Sequence, residues 1–274
     1  MMGLFAISQS WSNEADSALN ANELMRQVVA NELQAEQNDH SLWRYREVRR
    51  HGSTRQQFEY VDTPQGTIHW LLGQNGHALN LVEQRKEDSR IQELISQPQI
   101  FQKRAEDAKH DTQEEETLLN MLGDGFLYHK VAEENGLVKL DFVPNPEFHP
   151  QHHEGDVFHH MVGTIWVDPN QKRIAKMQGT LTGEVKFGFG ILGHLSKGGT
   201  FMLEQKNLGG GHWEMNRLKV TMSGKALFMK TITVHEDRAM WDFKPVSRET
   251  TPAQAEQVLK QDASSAPLPP PAGF

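Results

Sequence analysis

The 274 residues contain no cysteine. That absence excludes a disulfide scaffold, a zinc ribbon, a Cys-ligated iron–sulfur cluster, a thiol nucleophile and lipidation at a cysteine. No run of eighteen apolar residues occurs, so nothing reads as a membrane-spanning helix. Cations are in deficit, with 28 Lys and Arg against 36 Asp and Glu and a formal charge of −8. A net acidic chain without a dense basic stripe is poorly matched to phosphate backbones, which argues against nucleic acid as a partner. Hydrophobic residues make up 37%, on the polar side but enough for a core.

Common catalytic signatures are also missing. There is no GxSxG and no HExxH. Gly188-Phe189-Gly190-Ile191-Leu192-Gly193 is a literal GxGxxG. However, Lys197-Gly198-Gly199 follows it too closely to leave room for a nucleotide-binding helix, so it reads as a bulged β-connection. Gly209-Gly210-Gly211 lacks the Lys-Ser/Thr of a phosphate loop and reads as a mobile hairpin loop. His235-Glu236-Asp237 reads as a polar turn at a strand end. No catalytic residue and no cofactor follow from these motifs, and a non-enzymatic protein is expected.

What is present is pattern. Leu24, Val28 and Leu33 share a face, predicting a helix from about Ala21 to Gln37 with Ser17 or Asn20 as cap. Alternation then takes over in Leu42–Arg50, Arg55–Asp62, Thr67–Leu72 and a short run ending near Asn80, joined by turn residues. From Leu81 to Met121 the chain is dense in charge and broken by Pro98, predicting two helices or one interrupted excursion. Strand patterns resume at Phe126–Glu133, Leu137–Val143, Val157–Val167, Arg173–Leu181 and Glu184–Phe187. They continue through Thr200–Gln205, His212–Met222, Ala226–His235 and Met240–Val246, with Ser223-Gly224-Lys225 as one of the turns. Thr251 caps a last helix that starts at Pro252.

The expected organisation is a residual signal or flexible segment over 1–20, a single domain over 21–262 with its helical insertion at about 81–122, and a disordered proline-rich tail over 263–274. The fold class is mainly β within α+β: an antiparallel, strongly curved, unclosed β-barrel with an N-terminal helix, a mid-chain helical insertion and a short C-terminal helix.

One stretch has metal-ligand chemistry. His149, His152, His153, Glu154, His159 and His160 lie close in sequence, and imidazole with carboxylate suits zinc, copper or nickel. On a strand, adjacent His159 and His160 would face opposite ways, and the others flank Pro150 in a loop. The expectation is a polar surface segment with no dedicated metal site.

The aromatic residues Phe58, Trp70, Phe142, Trp166, Trp213, Phe228 and Trp241 all fall in strand patterns. They either fill the core or line an apolar pocket in a half-open sheet.

The order of these segments resembles the periplasmic lipoprotein-carrier (LolA/LolB-like) superfamily. The likeness runs from the Asn22–Gln37 helix through Trp43-Arg44-Tyr45-Arg46-Glu47 and Phe58-Glu59-Tyr60-Val61. It continues through Gly163-Thr164-Ile165-Trp166-Val167-Asp168, Arg173-Ile174-Ala175-Lys176-Met177-Gln178-Gly179 and Lys230-Thr231-Ile232, ending at Asp242-Phe243-Lys244-Pro245-Val246. The resemblance implies an unclosed barrel with helices over an apolar cavity, lipid or lipoprotein binding, and a periplasmic or exported protein with a truncated signal. The charged excursion is longer than a minimal carrier needs, the signal lacks its basic region, and a cytoplasmic location stays open.

On this reading Trp70, Phe142, Trp213 and Phe228 line the ligand site, an acyl chain or lipoprotein is the partner, and binding works by sequestration. An envelope-protein partner or sensor role on the same fold is the first alternative. A metal-binding protein built on the histidine segment is the second.

Overall fold

The computed structural model describes residues 6–150, 153–187, 193–226 and 230–263. The Asn80 side chain accepts hydrogen bonds from the Val82 and Glu83 amides while Glu83 reaches back to the Asn80 N–H, a complete capping box that satisfies the first free amides of a helix. This opens α2 (Leu81–Ser96). Pro98 at the next helix start then begins α3 (Pro98–Gly125), so the charged excursion is two helices. The N-terminal helix α1 runs Ala6–Asn38, longer than its apolar periodicity suggested and passing through both expected caps. The last helix, α4 (Pro252–Ala263), begins as expected, with Thr251 Oγ1 accepting from the Gln254 amide at 3.3 Å.

The strands are β1 (Leu42–His51), β2 (Thr54–Thr63), β3 (Gly66–Gln74), β4 (His77–Ala78), β5 (Phe126–Glu134), β6 (Leu137–Pro144), β7 (Met161–Asp168) and β8 (Arg173–Leu181). They continue with β9 (Val185–Phe187), β10 (Gly193–Leu195), β11 (Thr200–Gly209), β12 (His212–Ala226) and β13 (Lys230–Val246). Among the described residues they form one sheet in the order β4-β3-β2-β1-β13-β12-β11-β8-β7-β6-β5, with β10 joining β12 and β9. Every pairing with a described register is antiparallel. The end strands β4 and β5 do not pair with each other, so the sheet is not closed into a barrel. The expected fold class is the observed one.

Three local expectations change. Residues His153–His160 form a 3-10 helix rather than the start of β7, and Phe158 on it is buried at 5% exposure in a core. Ser223-Gly224-Lys225 is not a turn: these residues stay in β12, where Gly224 and Lys225 pair with Leu195 and His194 of β10. A Cβ on Gly224 would meet the His194 carbonyl at 2.1 Å, so glycine there serves close backbone approach rather than reversal. Finally, His235-Glu236-Asp237 lies inside β13, which is one continuous strand.

The chain gathers into two compact units. One comprises 1–38, 115–206 and 220–234, and the other 39–114, 207–219 and 235–274. In the first, α1 lays Ala21, Met25, Val28 and Val29 on Phe126, Tyr128, Leu140, Phe142, Ile165 and Val167. Two buried anchors fix this helix: Glu32 accepts from the Ile174 amide at 2.6 Å and pairs with Arg173 at 2.9 Å. In the second unit, Val61, Ile68, Trp70 and Leu72 pack under Ile91 and Leu94 of α2, Phe101 of α3, and Ala255 and Leu259 of α4.

Candidate functional site

In the second unit, alternation along β1 divides its side chains between two faces. One sheet face carries Val61, Ile68, Trp70 and Leu72 and is covered by helices. The opposite face carries Trp43, Tyr45, Glu47, Phe58, Tyr60 and His69. Tyr45 and Tyr60 stack at 4.9 Å, Phe58 and His69 meet edge-on at 5.6 Å, and Tyr60 and His69 lie 5.2 Å apart. Tyr45, Phe58 and His69 are half-buried, with Trp43 and Tyr60 at 9% exposure.

A bulge completes this aromatic run. Arg44 opposes Lys244 but Arg46 opposes Trp241, so β13 carries an extra residue. Asp242 sits there at a φ of 60°. The bulge keeps Phe243 on the Tyr45 side, since an inserted residue re-aims its neighbours. Phe243 stacks on Tyr45 at 5.4 Å and meets Trp43 edge-on at 6.4 Å. Five rings and His69 thus run from Phe58 to Trp43.

Charged groups flank the run at both ends. At the Phe58 end, Glu47 is 3% exposed and accepts from Arg49 Nε at 2.9 Å, while Arg49 also donates to the Tyr60 hydroxyl at 2.9 Å. Arg238 approaches the other Glu47 oxygen at 3.7 Å. The negative charge of Glu47 is therefore compensated, as burial requires. Burial holds the Tyr45 and Tyr60 hydroxyls far above the usual phenol range and the His69 imidazole down at about 4, helped by Arg90, Arg104 and Arg49. These groups stay neutral hydroxyls and a neutral ring.

The Trp43 end is acidic. His212 is the first residue of β12, set by the turn through Gly209, Gly210 and Gly211 at φ of 90°, 64° and 89°. The hairpin connection expected here is the one observed, between β11 and β12. His212 Nδ1 lies 2.8 Å from Asp39 Oδ2 and 2.9 Å from Ser41 Oγ, and Ser41 also donates to Asp39 Oδ1. Burial alone would raise the Asp39 carboxyl, but its bonds from Ser41 and His212 outweigh burial and bring it down to about 2. Ser, His and Asp are the residue types of a hydrolytic triad. Here Ser41 and Asp39 meet the same imidazole nitrogen, whereas proton relay needs one partner on each. The cluster is a hydrogen-bonded clasp, not a nucleophile.

Two more carboxylates stand beside it. Asp62 accepts from the Trp43 amide at 3.0 Å and from Thr67 Oγ1 at 2.7 Å, and burial raises its carboxyl. Glu214, two residues after His212, is pushed up to about 7 by burial and by the charges of Asp39 and Asp62.

The residues expected to line a ligand site fall in different places. Trp70 (3% exposed) is in the helix-covered core of the second unit and Phe142 (1%) in the core of the first. Phe142 lies across Gly163, where a Cβ would sit 2.7 Å from its ring. Trp213 is half-buried in β12, on the opposite side of the strand from His212 and Glu214. Phe228 lies outside the described residues, as do the backbone of Gly188–Leu192, the side chains of His152, His153 and Glu154, and all of 264–274. Among the described residues no group of three His, Asp or Glu side chains is arranged to hold a metal ion. The sequence reading missed the Tyr45–Tyr60–Phe243 run. Its signal was aromatic and charged residues alternating within LWRYREVRR and RQQFEYVD.

Fold and site together define an open antiparallel-sheet protein with one helix-covered face and one aromatic, charge-flanked face in its second unit. No protein-family model matches the sequence, and no curated protein matches it. One solved structure, a DUF1329 family protein from Desulfovibrio piger, aligns over 86% of this chain and 98% of its own at 8% identity and a TM-score of 0.27.

Proposed function

We propose that the protein is a non-enzymatic carrier that holds an apolar or amphipathic group, such as a lipid acyl chain or the lipid of a lipoprotein. The observation that carries this reading is the run of Phe58, Tyr60, Tyr45, Phe243 and Trp43 on the sheet face opposite the helices, in which Phe58, Tyr45 and Phe243 are half-buried. Aromatic rings left partly in water on a rigid sheet gain by being covered. Covering eight methylenes of a chain contributes about 6 kcal/mol before the cost of association. Trp70 and Phe142 already fill close-packed cores, so the contacts are assigned to Tyr45, Phe58 and Phe243 instead. The lipoprotein-carrier resemblance agrees with this use of an unclosed sheet and brings with it an exported location, which fractionation of tagged cells would test.

Titration of the full chain with a fluorescent fatty-acid probe tests the proposal. Saturable binding is expected, weakened about tenfold by Phe243→Ala with the circular dichroism spectrum unchanged. Binding that Phe243→Ala and Phe58→Ala leave untouched would remove the site from this face.

A second reading rests on a separate observation. Strand β5 ends the sheet order; its Leu127 and Val131, and Val143 of the neighbouring β6, are 37%, 50% and 40% exposed. An unpaired edge accepts a partner strand, although Asn22 already takes the Tyr128 N–H at 3.1 Å. Val131→Lys abolishing capture of a partner while leaving probe binding intact would favour this use of the edge.

A further inference from the structure

Helix α2 leaves its first two residues in water. Leu81 and Val82 are 71% and 60% exposed, more than any other large apolar side chain among the described residues. The first turn is nevertheless fixed, by the capping box of Asn80 and Glu83. The other side of the helix is anchored in the second core through Ile91 and Leu94, and at about 3.6 residues per turn Val82 points away from Ile91. An apolar pair held out on a rigid helix gains by being covered.

A second, independent observation lies one turn further on. Arg85 and Lys86 are exposed, and neither has an ion pair among the described residues. The carboxylates near them in sequence are engaged elsewhere. Glu83 accepts from the Asn80 amide at 2.8 Å, Glu87 pairs with Arg90 at 2.8 Å and Asp88 with Lys260 at 2.8 Å. Val82, Arg85, Lys86 and Ser89 share one helix face and, with Arg90 and Glu93, border a hollow of about 430 Å³ that opens to solvent.

The order of these groups along the helix selects their partner. At about 1.5 Å per residue, Leu81 and Val82 stand about 6 Å nearer the helix start than Arg85 and Lys86. The surface of a bilayer has the same order over the same span, with the acyl boundary inside and the phosphates outside it. Glu93 lies about 12 Å beyond Arg85 along the axis. At physiological salt, charges more than about 8 Å away are screened, so neither Glu93 nor the net charge of −8 opposes the contact.

We propose that the start of α2 docks on an anionic phospholipid bilayer, with Leu81 and Val82 entering the acyl boundary and Arg85 and Lys86 meeting lipid phosphates. This goes beyond the carrier reading and stands on other residues: it holds whether or not the aromatic face takes a ligand.

Flotation of the full chain with lipid vesicles tests the docking. Vesicles of phosphatidylcholine with about one-third phosphatidylglycerol should carry the protein, and vesicles of phosphatidylcholine alone should carry about tenfold less or none. Arg85→Glu combined with Lys86→Glu should weaken the partition at least about thirtyfold. Leu81→Ser combined with Val82→Ser should weaken it about tenfold. All four side chains are on the surface, so the circular dichroism spectra should not change. Depth gives a separate readout. Because the chain has no cysteine, Val82→Cys takes a single environment-sensitive dye, whose emission should shift to the blue on anionic vesicles. The same dye at Ser96→Cys, about 21 Å further along the axis, should stay in water. Equal flotation with both vesicle types, no flotation with either, or anionic binding that survives the charge reversal overturns the proposal. Charge-dependent binding without a blue shift at Val82 overturns it too, since that is adhesion without insertion. Fatty-acid probe binding should be the same in all these variants as in the parent, so loss of the docking site and loss of the carrier reading are told apart.

Discussion

Glu214 shows how one side chain can set the acid response of the fold. Its carboxyl is raised to about 7 by burial and by Asp39 and Asp62, so between about pH 4.5 and 7 the folded chain holds a proton that the unfolded chain has lost. Stability therefore falls as pH rises through that window. Glu214→Gln removes the penalty: chemical denaturation should show it about 2 kcal/mol more stable than the parent at pH 8 and equal to it at pH 4. A variant no more stable at pH 8 would mean that the carboxylate is ionised without cost. None of this environment was legible in the sequence. Asp39 and His212 are 173 positions apart, and only the pairing of β1 with β13 and the hairpin before β12 bring the residues into range. Trp70 and Phe142 were legible as strand aromatics, but strand alternation alone does not say which face a helix will cover. Trp70 lies on the covered face, whereas Tyr45 and Phe243 lie on the other.

Among the elements, β7 and β8 are joined most tightly where Gly163 pairs with Gly179. A Cβ on Gly163 would come within 2.0 Å of the Gln178 carbonyl, and one on Gly179 within 2.5 Å of the Phe201 ring. The two glycines are the floor on which Phe142 and Phe201 lie. Gly163→Ala is expected to cost about 3 kcal/mol or more by forcing these strands apart, lowering the thermal midpoint sharply, whereas Gly136→Ala should act mainly through its positive φ of 80° in open space. Near-equal midpoints for the two variants would refute that contrast. Asn75-Gly76 and Asn135-Gly136 take the left-handed conformations that such turn pairs favour. The 3-10 helix at His153–His160 was not readable, because Val157 and Phe158 look like the apolar start of a strand. The same holds for Ser223-Gly224-Lys225, where turn chemistry gave way to pairing with β10.

At the scale of the molecule, the order of strands was beyond the reach of local pattern, since alternation marks a strand without naming its neighbour. The antiparallel, unclosed class was legible from the number of strands and the polar alternate positions. The return of the last strand to lie beside the first was not. That return makes a specific prediction. A chain ending at Met229 keeps β1 to β12 but loses the pairing of Leu42–Arg50 with Asp237–Val246 and the α4 residues Ala255 and Leu259 from the second core. It should show no cooperative unfolding transition and should aggregate, while a chain ending at Ala263 should unfold as the parent does. Cooperative unfolding of the shorter chain would show that β1 does not depend on β13.

The same pairing has a consequence for synthesis. About 190 residues separate Arg50 from its partner Asp237, and a ribosome adding about 5–20 residues per second needs about 10–40 s to produce them. For that interval one side of β1 is an open hydrogen-bonding edge on a nascent chain. The sheet cannot be sealed at its middle until β13 has been made, which makes the protein a natural client for whatever shields unfinished chains in the cell.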